Sequence, residues 1–157
     1  RLVAESLHSS EGASFAPDGK RIVYARKVSE NGADIFIADH DGRNERRLTN
    51  DASKGVYNGS PAVSPDGKSI AFYSDDKTGA ALVVMSVDGS RRRTVLAGGH
   101  NWYPRWSPDG RWLVYTASVK GGDEGNVDIL AVRVRGESKP KLLVGGPKRE
   151  LEGSWRP

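Results

Sequence analysis

Apolar residues in this chain fall into short runs separated by polar, glycine-rich breaks. Three runs are apolar at nearly every position: "RIVYA" from Arg21, "SIAFY" from Ser69 and "WLVYT" from Trp112. A strand with one wet face alternates, whereas an unbroken apolar run needs cover on both faces. A second set reads the same way: "DIFIA" from Asp34, "LVVMSV" from Leu82 and "DILAVRV" from Asp128. Their shortness, β-branched content and bounding glycines predict strands rather than helices. Shorter, more polar segments follow: "ERRLT" from Glu45, "RRTVL" from Arg92 and "KPKLL" from Lys139. Pro140 fits such a segment only if it is an edge strand.

The breaks repeat as well. "FAPDG", "VSPDG" and "WSPDG" place Pro17, Pro65 and Pro108 in register, with Pro157 aligned for a fourth copy and spacings of 48, 43 and 49 residues. Proline presets φ for a tight turn, aspartate bonds nearby amides, and glycine accepts the closing conformation. Ser64 and Ser107 add a hydroxyl that Ala16 lacks in the first copy. Each corner joins a first strand, ending near Phe15, Val63 or Trp106, to the doubly apolar second strand. Glycine turns ending at Gly42, Gly89 and Gly136 then join third to fourth strands.

Two doubly covered strands beside a polar outer edge describe one blade of a β-propeller. The predicted architecture is all-β: three complete four-stranded blades at 8–50, 51–97 and 98–146. Partial strands flank them, 1–7 closing a preceding blade and 147–157 opening a following one. Closure takes about four blades at least, so the expectation is a portion of a six- to eight-bladed propeller. An open arc of three is expected to self-associate through its two end faces.

The pattern P-x-[WFV]-[SA]-P-D-G-[KR]-x-[IL]-[AV]-[FY] runs from Pro61 to Phe72 and from Pro104 to Tyr115. Asp34–Phe36, Asp41–Gly42 and Leu48–Thr49 supply its later parts. This resembles the PD-type, WD40-like repeats of TolB-like β-propellers, over almost the whole chain. The first copy departs with Ala13 where the leading proline falls, and the third with Arg135 in place of aspartate. The resemblance implies a propeller, six-bladed in TolB itself, and a periplasmic setting beside the envelope Tol–Pal machinery. Similar repeats precede prolyl-oligopeptidase catalytic domains and occur in bacterial sensors, so fold is implied more firmly than role.

Composition narrows the class. The 157 residues are 36% hydrophobic and 28% charged, as in a globular protein. No apolar run approaches the roughly 20 residues that span a bilayer, so no membrane insertion is expected. "RLVAESLHSS" lacks the features of a signal peptide. The absence of cysteine excludes disulfides and thiolate chemistry. A net charge of +4 rests on 24 basic against 20 acidic residues, which reads first as a mixed solvated surface.

Candidate chemistry is sparse. His8, His40 and His100 belong to no H-E-x-x-H motif, and no G-x-S-x-G elbow occurs. "DHDGRNE" from Asp39 would need acids at Ile37 and Leu48 to be a calcium loop, so it reads as a hairpin. "KGGDEGN" from Lys120 reads as a loop. No metal, cofactor or catalytic residue is expected. The better candidates sit where loops lead into first strands: Tyr57 and Asn58, then His100, Asn101, Trp102 and Tyr103. Aromatic and amide groups there suit a protein or peptide partner, with packing between blades as the competing reading for Trp102 and Tyr103. Trp106, Trp112 and Trp155 are assigned to the core.

The opposite end gathers Lys20, Arg21, Arg43, Arg46, Arg47, Lys68, Arg91, Arg92, Arg93 and Arg111. It would attract an acidic or phosphate-rich surface, or simply be solvated. No nucleic-acid partner is expected, because interleaved aromatics and a groove-reading element are lacking. Three functions fit: a noncatalytic scaffold for protein–protein interaction, a propeller gating substrate access to a serine peptidase, and a sensor binding a small molecule or glycan.

Overall fold

The computed structural model describes residues 12–76, 79–118, 127–136 and 139–145. The expected partial strands at 1–7 and 147–157 lie outside these residues, as does Trp155. The described elements are β-strands, apart from a single 3-10 turn at Ala52–Lys54.

The first blade holds β1 (Ala13–Phe15), β2 (Arg21–Ser29), β3 (Gly32–Asp39) and β4 (Arg46–Arg47). The second holds β5 (Tyr57–Val63), β6 (Ser69–Asp75), β7 (Ala80–Ser86) and β8 (Arg93–Leu96). The third holds β9 (His100–Trp106), β10 (Trp112–Ser118), β11 (Val127–Arg133) and β12 (Lys141–Val144). Within every blade each strand pairs antiparallel with its sequence neighbour. One parallel bridge, Ala33 to Tyr57, links the first two sheets. The architecture is that of stacked propeller blades.

The apolar runs divide by alternate residue. On β6 and β7, Ile70, Phe72, Val83 and Met85 pack on Val23, Ala25, Ile35 and Ile37 of the first blade. The intervening Ala71, Tyr73, Leu82 and Val84 pack on Leu113, Tyr115, Ala117 and Val132 of the third. Unbroken apolar strands in the sequence therefore mark a blade with a neighbour on each side.

The corners follow their residues. Ser64 Oγ donates to Asp66 Oδ1 at 2.6 Å and accepts from the Ser69 amide at 2.9 Å, and Ser107 repeats this with Asp109 and Trp112 at 2.6 and 2.9 Å. Gly67 and Gly110 sit at φ 69° and 68°, where a Cβ would strain the turn. The Ser107 hydroxyl, then the Arg111 amide and guanidinium, hold the Asp109 carboxyl down to about 2. Ala16 offers no hydroxyl, and there Asp18 bonds the Lys20 amide at 2.9 Å.

Three expectations change. Trp106 and Trp112 are only half-buried: Trp106 packs against the core and donates Nε1–H to the Ala62 carbonyl at 2.9 Å, whereas Trp112 is not a core residue and lies under the Arg133 guanidinium, 5.0 Å from its ring centre. The fourth strand of the first blade shrinks to Arg46–Arg47, because Glu45 turns toward Tyr24 and Thr49 toward Asp34. The outer face of the first blade is also less apolar than the runs imply. Tyr24 and Phe36 stack there at 5.9 Å but are covered by Arg26, 3.8 Å over Phe36, and by Glu45, which accepts from the Tyr24 hydroxyl. Burial and this carboxylate both push the Tyr24 hydroxyl pKa up. Among the described residues, the exposed large apolar side chains are Phe15, Val28, Leu142, Leu143 and Val144.

Candidate interaction site on the bulged first strands

The first strands lie side by side across the blades: Ser14 Oγ accepts from the Val63 amide at 3.2 Å, and Trp106 reaches Ala62. Two of them are bulged at the same place. Register slips between Gly59 and Ala62 on β5 and opposite β9 between Val114 and Thr116. Ser60 and Tyr103, at matching positions, take positive φ of 47° and 53°. A bulge of this kind bends the strand and re-aims its side chains. Left-handed backbone at a residue other than glycine costs about 1 kcal/mol or more, so surrounding contacts must hold it.

The six candidate residues do not form one surface. Asn58 is fully buried and its amide serves the fold. Nδ2 donates at 3.3 Å to both Asp34 Oδ1 and Thr49 Oγ1, and at 3.4 Å to Asp51 Oδ2. Its Oδ1 accepts from Arg92 at 3.4 Å. Asn101 is also buried and donates to the carbonyls of Ala80 and Gly98 at 3.3 and 2.5 Å. Tyr57 is half-buried and stacks on Tyr73 at 6.1 Å. What remains toward solvent is exposed His100, stacked on half-buried Trp102 at 5.4 Å and 22°, with half-buried Tyr103 next in the strand.

Asp34 is the centre of a polar cluster whose role the sequence reading did not assign. It is fully buried and accepts from Thr49 Oγ1 at 2.6 Å, the Asp51 amide at 3.0 Å, the Ala52 amide at 3.3 Å, and Arg47. Burial raises its pKa, but the bonds from Thr49, Asp51, Arg47 and Ala52 together outweigh that and hold the carboxyl below its ordinary value. Arg92, from the second blade, binds Asp51 and donates to Ser74 at 3.1 Å. Asp34 and Thr49 belong to the D-I-F and L-T parts of the repeat pattern, and with Asn58 of the next blade they form a lock between blades. Among the described residues no cluster of acids and histidines suits a metal ion.

Comparison with known proteins agrees with this geometry. The family model described as the TolB beta propeller domain (PD40) matches residues 1–157. A TolB homolog from Chlorobaculum tepidum is 36% identical over 82% of this chain and 28% of that protein. Dipeptidyl-peptidase 5 from Porphyromonas endodontalis is 34% identical over 69% of this chain, which covers only 16% of the peptidase. The chain thus spans less than a third of each of these two relatives. Among solved structures, a putative TolB from Agrobacterium tumefaciens superposes with TM-score 0.69 and 27% identity, covering 82% of this chain and 47% of that one. These matches and the blade geometry together establish that the chain belongs to the TolB-type β-propeller family.

Proposed function

We propose that this propeller segment is a noncatalytic scaffold in the bacterial envelope, binding a protein or peptide partner where loops lead into its first strands. The observation that carries the reading is exposed His100 stacked on half-buried Trp102 on a bulged strand. Stacked rings offer a large, pre-ordered contact area at small entropic cost, with ring nitrogens for hydrogen bonds. The blades beneath supply rigidity without contributing chemistry. Family membership supports a periplasmic location, and among the described residues no helix is long and apolar enough to cross a membrane.

The test is binding to the soluble domain of a Pal-type lipoprotein from the same cell, measured by titration calorimetry. His100→Ala should weaken it at least about tenfold, the usual effect of losing an aromatic anchor, with the far-UV spectrum unchanged. Unaltered affinity would overturn the assignment. Tyr57, Asn58 and Trp102 are left intact because their contacts lie inside the fold.

A second reading is a propeller that gates a serine peptidase. Dipeptidyl-peptidase 5 and, among solved structures, a prolyl endopeptidase with TM-score 0.58 and 25% identity support it. Hydrolysis of aminoacyl substrates by the full-length protein, abolished by a serine-directed inhibitor, would favour the peptidase over the scaffold.

A further inference from the structure

At the end of the strands away from His100, the second and third blades part around an open cleft of about 1320 Å3. One wall is the Ser64–Ser69 corner with the end of β7, and the other is the Pro108–Trp112 corner with the residues ending β11. Lys68, Arg91, Arg93, Arg111, Arg133 and Arg135 line it, six cations against the carboxylates of Asp66 and Asp109. Both carboxylates are engaged within their own corners, Asp66 by Ser64 and the Lys68 amide, Asp109 by Ser107 and Arg111. Among the described residues only Arg111 of the six is held in a salt bridge.

The cations are placed rather than scattered. Arg93 donates across the blades to the Val134 carbonyl at 2.6 Å, which fixes its guanidinium between the walls. Burial, and then the neighbouring charge of Arg135, push its pKa down. The Arg133 guanidinium lies over Trp112, 5.0 Å from its ring centre. Like charges gathered in a concave site repel one another and concentrate an attracting field, so the arrangement gains free energy from a bound anion. Guanidinium forks match carboxylates in bidentate geometry.

We propose that this cleft docks an acidic segment of another polypeptide. Its volume exceeds the roughly 300–1,000 Å3 of small-ligand pockets, and its openness suits a chain running through it. Stacking of nucleobases is disfavoured because Arg133 occupies a face of Trp112 and Trp106 is packed against the core with its N–H bound to Ala62. The surface is independent of the His100–Trp102 site, which lies at the opposite end of β9.

The experiment titrates the full chain with an acetylated oligoglutamate peptide, reading tryptophan emission and heat at low and high salt. The wild-type chain should bind, with affinity falling as salt rises. Arg133→Glu with Arg135→Glu should weaken binding about tenfold or more, and Lys68→Glu on the facing wall should weaken it independently. Arg43→Glu with Arg46→Glu, basic residues of the first blade outside the cleft, should change it by no more than about twofold. Equal weakening by the two charge-reversed pairs would overturn the proposal in favour of diffuse attraction. Tripolyphosphate or oligothymidylate binding more tightly than the peptide and displacing it would overturn it in favour of a phosphate site. Near-identical thermal melts for the variants keep the reading free of folding effects, and Lys68→Glu decides the matter if the double variant melts early.

Discussion

The junction between the first and second blades and that between the second and third are built on one backbone plan with different side chains. In both, an amide at the start of the third strand meets the loop ahead of the next first strand: Ala33 to the Val56 carbonyl at 3.2 Å, Ala80 to the Gly99 carbonyl at 2.9 Å. In both, an asparagine follows on the first strand, Asn58 or Asn101. The first junction then fills the space with Asp34, Thr49, Asp51 and Arg92. The second puts Ala81 where Asp34 stands and Leu96 where Thr49 stands, and packs Leu96, Trp102, Leu82 and Tyr73 instead. The asparagine changes partners accordingly, from carboxylate and hydroxyl to two carbonyls. A repeat thus tolerates either a polar lock or an apolar one, with the asparagine amide finding partners in both.

The largest effect should come from Asp34→Ala. It strips acceptors from Thr49, Asn58, Arg47 and two backbone amides at once, and breaking such a buried arrangement costs about 3–5 kcal/mol. Chemical denaturation should show it, and a loss under about 1 kcal/mol would mean that the lock is ornamental. Gly59→Ala is next. A Cβ there would stand 2.6 Å from the Tyr73 ring, so overpacking should cost about 1–3 kcal/mol, whereas the equivalent position in the third blade already carries Trp102. Asn101→Ala should cost about 1–2 kcal/mol from carbonyls left unpaired, less than Asn58→Ala, and the reverse order would break the comparison.

The pH dependence is the smallest and sharpens the same contrast. Asp34 has a native pKa held below 3.8, so its stabilisation is complete above about pH 4 and drains away as pH falls through the native value. Asp34→Asn should flatten that acid limb in melts taken between about pH 2 and 5. Tyr115 gives the opposite sign. Burial raises it to about 12, so its contribution is present below about pH 10 and lost as pH climbs toward 12. Tyr115→Phe should reduce the alkaline loss and leave the acid limb unchanged.

Legibility followed the range of the interactions. "SPDG" announced its corner because serine, aspartate and glycine act on amides within five residues, and the same bonds appear at Ser64 and Ser107. Doubly apolar strands were readable because a covered blade needs no polar face. The site residues were harder. Asn58 and His100 look equally suited to a partner in sequence, yet one is sealed beneath Arg92 and the other stands in solvent. Trp106 and Trp112 read as core by composition, but the cleft between blades leaves both half-open.

What the amino-acid order alone determined was therefore the blade: its strands, its corners and the alternation of side chains between neighbours, all set by local geometry and by periodicity. The tertiary structure decided which repeated positions became locks, which faced water, and where cations from four separate segments met in a single cleft. Those outcomes depend on residues about forty positions apart arriving at the same place, and contacts of that range leave no period in the sequence.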